Sequence, residues 1–178
     1  QADGYLNAYF TIKEPDKRWT NLHACHELYC AGHMMEAAVA YYKVTGKEQL
    51  LDVMEGMSDH IEKHFVIGKR EGIPGHQEIE IGLMKMYQAT GKEKFFNLAK
   101  HFIDERGKDP NYFLKEDQNR GWKYDIMDPR NTKYNQSYAL VREQKTAEGH
   151  SVRAVYMYTA MADIASVNGD MELYQACE

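Results

Sequence analysis

The chain has 178 residues, 43% hydrophobic and 28% charged, enough for one domain with a substantial core. A formal net charge of -5 and the lack of a long basic run argue against a nucleic-acid partner, and no apolar run approaches the roughly 20 residues that cross a bilayer, so no membrane partner is expected. Cys25, Cys30 and Cys177 form no even-numbered framework and read as reduced thiols. The start at Gln1, with neither an initiator Met nor a signal-peptide pattern, reads as a segment of a longer polypeptide.

From His26 to about Thr45, strong helix formers with few polar residues in the second half predict an inner helix buried nearly all round. Thr45-Gly46-Lys47 ends it, with the glycine where a helix C-terminus wants a left-handed residue. Over Glu48 to Phe65, Leu50, Met54, Met57, Ile61 and Phe65 recur at three or four residues while Glu48, Asp52, Glu55, Asp59 and Glu62 face away. That is an amphipathic outer helix. His76 to Ala89 is again apolar on more than one face, Thr90-Gly91-Lys92 repeats the turn, and Phe95, Leu98, Ala99 and Phe102 give the next helix one stripe.

The stretch from about 107 to 148 contains Pro110, Trp122 and Pro129 and is too aromatic for simple disorder; it reads as a long functional loop with short helical or strand pieces. His150 to about Val167 is a third inner run, Asn168-Gly169-Asp170 its breaker, and Met171 to Cys177 an outer candidate. The fold class is therefore all-α, three helical hairpins in a single domain over 1–178. Repeats of this length admit an open solenoid or a closed toroid. Each inner run carries a Gly-His pair near its start, Gly32-His33, Gly75-His76 and Gly149-His150, which favours an α/α toroid whose helix mouths surround one funnel. Three hairpins make about half of an (α/α)6 barrel, and half a ring exposes an apolar seam.

Several groups could carry chemistry. His26, Cys30 and His33 share a helix face, with His23 and Cys25 upstream, residue types that zinc prefers; a spread over nearly two turns does not easily reach one ion, and sugar contact by His26 or packing alone are the alternatives. His76 lies one turn before Glu80, close enough for a carboxylate to fix its tautomer, or else it simply starts a capped helix. His150 and Arg153 fall on one face, and Val141-Arg142-Glu143-Gln144 brings further hydrogen-bonding groups towards the same helix mouth, unless Arg142 only makes a surface ion pair. Glu27, Glu78, Glu80 and Glu143 are available for a two-carboxylate hydrolase, but no spacing selects two of them. A phosphate-cradling Gly-rich loop, a nucleophile-elbow serine and a Cys-x-x-Cys motif are all missing, which disfavours phosphoryl-transfer and dinucleotide chemistry.

Five ordered strings, Asp3-Gly4-Tyr5-Leu6-Asn7, His26-Glu27-Leu28-Tyr29-Cys30-Ala31-Gly32-His33, Pro74-Gly75-His76-Gln77-Glu78-Ile79-Glu80, Val141-Arg142-Glu143-Gln144 and Gly149-His150-Ser151-Val152-Arg153-Ala154, cover most of the chain. Together they resemble the bacterial β-L-arabinofuranosidase family of glycoside hydrolases. The resemblance implies the N-terminal part of an (α/α)6 catalytic barrel in an enzyme that releases L-arabinofuranose from plant glycans with retention. It further implies a zinc-held cysteine nucleophile and a glutamate acid/base, all outside this segment, so that no catalytic residue and no metal ligand is expected here. What it carries onto this chain is substrate binding by His26, His76 and His150, an arabinofuranose-containing carbohydrate as ligand, and the rest of the parent catalytic domain as partner. Ser137-Tyr138-Ala139-Leu140 departs from the family's usual His and Pro at that point. The competing readings are another toroid sugar enzyme, such as a uronyl hydrolase or an epimerase, and a non-catalytic helical scaffold whose Gly-His pairs cap helices.

Overall fold

A computed structural model describes residues 1–124 and 126–178. The helices are α1 (Ala8–Ile12), α2 (Glu27–Thr45), α3 (Gln49–Glu62), α4 (Ile79–Thr90), α5 (Glu93–Glu105), α6 (Tyr112–Asn119), α7 (Ser151–Asn168) and α8 (Met171–Gln175), with no strand among the described residues. The three hairpins α2–α3, α4–α5 and α7–α8 turn alike. Gly46, Gly91 and Gly169 take φ of 69°, 69° and 72°, and their N–H groups donate to the carbonyls of Tyr42, Tyr87 and Ala165. This left-handed cap satisfies a carbonyl that the helix end leaves free. In the first two turns a threonine hydroxyl, of Thr45 or Thr90, also donates to the carbonyl four residues back at 2.7 Å.

The hairpins form an arc, a partial α/α toroid, with α2, α4 and α7 inside and α3, α5 and α8 behind them. Helix α4 is the centre, packed against α2 on one side, α7 on the other and α5 at its back. Glycines set the α2–α4 distance, since a Cβ on Gly82 would fall 2.5 Å from the Gly32 carbonyl oxygen. Met35, Met54, Met57, Leu83, Met84 and Met157 fill the space between layers, with Phe95 and Phe102 closing it from α5.

Three expectations need correction. Helix α2 is not buried all round: Cys30, Met34, Ala37, Tyr41 and Val44 lie exposed along one line, and Val152, Val155, Thr159 and Ser166 do so on α7. Both helices end the arc, each with a hairpin on one side only, whereas α4 has two neighbours and no such line. On α3 Leu51 is buried in the core and Leu50 only partly buried against it, and the helix passes into a π-helical turn over Lys63–Ile67. The second inner helix begins at Ile79, which leaves His76 in the preceding turn.

The long loop between α5 and α7 contains α6 and a 3-10 turn at Val141–Glu143, and it is bonded down at definite points. The Glu116 carboxylate of α6 accepts the N–H groups of Leu22 and His23 at 2.8 and 3.0 Å. Buried Arg106 donates to the carbonyls of Asn135 at 2.7 Å and Pro74 at 2.6 Å, and Gly75 N–H donates to Leu22 O at 3.0 Å. These contacts tie together the segments that enter α2 and α4, the two places from which site side chains project.

Candidate functional site

At the end of the arc where α2, α4 and α7 begin, His26, His76 and His150 come together. Ring centroids are 5.9 Å apart for His26 and His76 and 5.8 Å for His76 and His150. Tyr29 stands edge-on to His76 at 4.6 Å, and Tyr156 of α7 lies 5.6 Å from the same ring. All five side chains are partly exposed, so they line a surface that a ligand can reach.

The backbone reaches this arrangement differently in each hairpin. His26 is the N-cap of α2 in a left-handed conformation, φ 57°. His76 follows Gly75, whose missing Cβ lets the chain pass against His23: a Cβ there would lie 2.1 Å from the His23 carbonyl oxygen. His150 is the N-cap of α7. Its partner Gly149 has φ 77°, and a Cβ there would lie 2.0 Å from the Lys133 carbonyl oxygen. The Gly-His pairs are thus not equivalent: Gly32 is a helix-crossing glycine and His33 points deeper along the inner face.

Hydrogen bonds assign the ring protons. His26 Nδ1 lies 2.7 Å from Ala24 O and His76 Nδ1 2.8 Å from Gln77 O. A carbonyl only accepts, so each Nδ1 carries the proton and each Nε2 is left as an acceptor. His150 is the opposite: its Nδ1 accepts from Arg153 N–H at 3.4 Å, placing its proton on Nε2. Burial, helped by the nearby Arg153 guanidinium, pushes the His76 pKa down to about 4. His76 is therefore neutral at pH 7. One wall offers two acceptors and one donor, the mixture that a ring bearing several hydroxyls requires.

Beneath this wall sits a second cluster that sequence reasoning missed as a unit. His33 Nδ1 is 3.1 Å from Glu36 and 3.0 Å from Glu78, and Lys85 of α4 pairs with Glu36. Burial first and the adjoining Glu36 second push the Glu78 carboxyl up, so it holds a proton. Glu36 stays ionised, since the hydrogen bonds from Glu78 and Lys85 outweigh its burial. The ring of His33 packs edge-on against Tyr29 at 4.5 Å, linking this cluster to the wall. The i, i+3 pair His33 and Glu36 was readable on one helix, but Glu78 and Lys85 reach it from α4.

Other groups take structural positions. Glu80 does not touch His76; it is fully buried, accepts from Glu78 N–H at 3.1 Å and lies 4.0 Å from Arg106. Arg153 is buried with its Nε donating to Gly75 O at 3.0 Å and its guanidinium over the Tyr134 ring at 4.6 Å. Arg142 is far from a hydroxyl-binding role, bridging Asp104 of α5 at 2.8 Å and Asp170, the N-cap of α8, at 2.5 Å. Gln144 turns inward to the carbonyls of Gln136 and Ala139. Glu27 is buried beneath Trp19 and Tyr5, accepting from the Tyr5 hydroxyl and from Trp19 N–H at 2.9 Å.

An arc of helical hairpins with imidazole and phenol groups gathered at the mouth of its inner helices defines the class: an α/α-toroid domain with a polar, aromatic site at one end. A family model described as "Beta-L-arabinofuranosidase, GH127 catalytic domain" matches residues 1–178, and the chain belongs to that family. A curated relative named non-reducing end beta-L-arabinofuranosidase, from Bifidobacterium longum subsp. longum, is 38% identical over 97% of this chain and 28% of its own length. Among solved structures, a GH127 beta-L-arabinofuranosidase from Geobacillus stearothermophilus superposes with a TM-score of 0.90 at 52% identity, over 99% of this chain and 28% of that one. A second GH127 beta-arabinofuranosidase structure gives 0.81 at 35% identity, over 99% and 26%. The chain therefore spans little more than a quarter of the length of these relatives.

Proposed function

We propose that the complete protein containing this segment hydrolyses β-L-arabinofuranosides of plant glycans with retention, and that His26, His76 and His150 bind the terminal arabinofuranose. The observation that carries this reading is the convergence of three imidazoles from three hairpins with their Nε2 atoms set as acceptor, acceptor and donor. Tyr29 and Tyr156 add apolar faces against which the CH groups of a sugar can rest.

Zinc is expected to hold the nucleophilic thiolate of the family enzyme, and the residues present here do not fit that site. All three cysteines are free, and burial pushes the Cys25 thiol up to about 11, the wrong direction for a metal-bound thiolate. Among the described residues the one group spaced for a metal is His33, Glu36 and Glu78, which lacks a cysteine and already carries Lys85. Nucleophile, zinc ligands and acid/base are accordingly assigned to the remainder of the parent catalytic domain, whose docking would cover the open lines on α2 and α7. This segment binds and orients the sugar.

The test is a kinetic one on the complete parent with a β-L-arabinofuranoside. His76→Gln should lower kcat/KM by roughly tenfold to a hundredfold, the loss of a buried hydrogen bond that orients substrate. Parent activity indifferent to His76, or absent on this substrate, sinks the proposal. The isolated 178-residue chain should show no turnover.

A further inference from the structure

A cleft of about 660 Å³ opens beside the imidazole wall, between the α1 segment and the strand of loop around Trp122, and His26 lines it. His26 thus belongs to both places. Tyr9 on α1 is 55% exposed, with one edge of its ring against Phe10. Tyr124 faces the same cleft from the loop side, and Asn7 spends its side-chain oxygen capping α1, which leaves its amide N–H groups free to donate.

Trp122 is held by three contacts. Its Nε1 donates to Thr20 Oγ1 at 3.1 Å, Lys17 lies over the ring at 4.6 Å and Arg120 at 5.0 Å. Cations over the indole make it a fixed wall of the cleft and leave stacking to the two tyrosines. Lys17 is itself held by Glu14 at 2.7 Å, placing one charged pair on the rim. Rigid aromatic surface, a free amide and a paired charge suit a neutral polyhydroxylated ligand better than an ionic or purely apolar one.

We propose that this cleft is the leaving-group subsite: it receives the sugar to which the terminal arabinofuranose is attached, with Tyr9 and Tyr124 as stacking platforms and Asn7 as hydrogen-bond donor. The inference rests on the function proposed above, because it takes the histidine wall as the place of the terminal sugar. Contiguity through His26 then sends the glycosidic oxygen towards the cleft.

The experiment compares two substrates of the complete parent, an arabinofuranosyl disaccharide and methyl β-L-arabinofuranoside, whose leaving group is too small to reach the tyrosines. Tyr9→Ala and Tyr124→Ala should each lower kcat/KM roughly tenfold on the disaccharide, mainly through KM, and leave the methyl glycoside within about twofold. Tyr9→Phe and Tyr124→Phe should keep most of the activity. Equal losses on both substrates, or none on either, overturn the subsite. If the parent cleaves neither substrate, calorimetric binding of the disaccharide separates the two ideas. Weaker binding in the alanine variants keeps the cleft while the proposed hydrolysis falls, and unchanged binding removes both.

Discussion

His26 holds a left-handed backbone, which costs a non-glycine residue roughly 1–2 kcal/mol. Asparagine tolerates that conformation and is a good N-cap, so His26→Asn should leave the melting temperature unchanged or slightly raised while sugar affinity falls. Thermal unfolding measured beside substrate KM checks it; a large drop in stability would show that the imidazole holds the fold. Glu27 supports a pH prediction. Burial, the largest influence, raises its pKa to about 7, although the Tyr5 and Trp19 hydrogen bonds pull the other way. Between about pH 4.5 and 7 the folded chain therefore keeps a proton that the unfolded chain has lost, and stability falls as pH rises through that window. Glu27→Gln removes this slope, a difference of up to about 3 kcal/mol between pH 4.5 and 8 in urea unfolding. The signs reverse for His23 and His76, both pushed down to about 4 chiefly by burial. Their unfolded forms take up protons first, so they lose stability as pH falls from about 6.5 to 4. At this scale the sequence named the three histidines but not their tautomers, since Ala24 and Gln77 accept through backbone carbonyls whose direction no residue type announces.

At the scale of elements, two glycines on facing helices behave differently from two in turns. A methyl on Gly82 meets backbone of α2, which cannot swing aside, so Gly82→Ala should destabilise by about 1–3 kcal/mol or more through separation of α2 from α4. A methyl on Gly46 meets nothing within 4 Å, and Gly46→Ala should cost only the left-handed backbone, about 1 kcal/mol. Denaturant midpoints of the two variants decide between these causes, and equal losses would contradict the packing argument. The hairpins themselves were legible because helix propensity, a stripe of apolar residues and a capping glycine are all read within a few turns of chain. Leu51 shows the limit: it lies about 100° round α3 from Leu50, and only the approach of neighbouring helices buries it more deeply than Leu50.

At the scale of the whole molecule, the exposed lines Met34, Tyr41 and Val44 on α2 and Val152 and Val155 on α7 are the consequence of an arc with two ends. The isolated chain should self-associate with rising concentration, and Met34→Lys with Val155→Lys should shift it towards monomer in size-exclusion chromatography. A wild-type chain that stays monomeric at high concentration would refute this. No described helix is long and apolar enough to cross a membrane.

By itself the sequence determined the all-α class, the three hairpins with their glycine caps, and a family pattern that named His26, His76 and His150. Each of those signals is local or is carried by ordered strings. Tertiary structure alone decided that the His26 and His150 rings each stand within 6 Å of His76, that Arg153 and Glu80 serve the scaffold, and that Glu78 and Lys85 meet the His33–Glu36 pair. The physical reason is range. Capping and periodicity are settled by neighbours along the chain, whereas the proton on an imidazole and the charge on a buried carboxyl depend on groups that other hairpins bring against them.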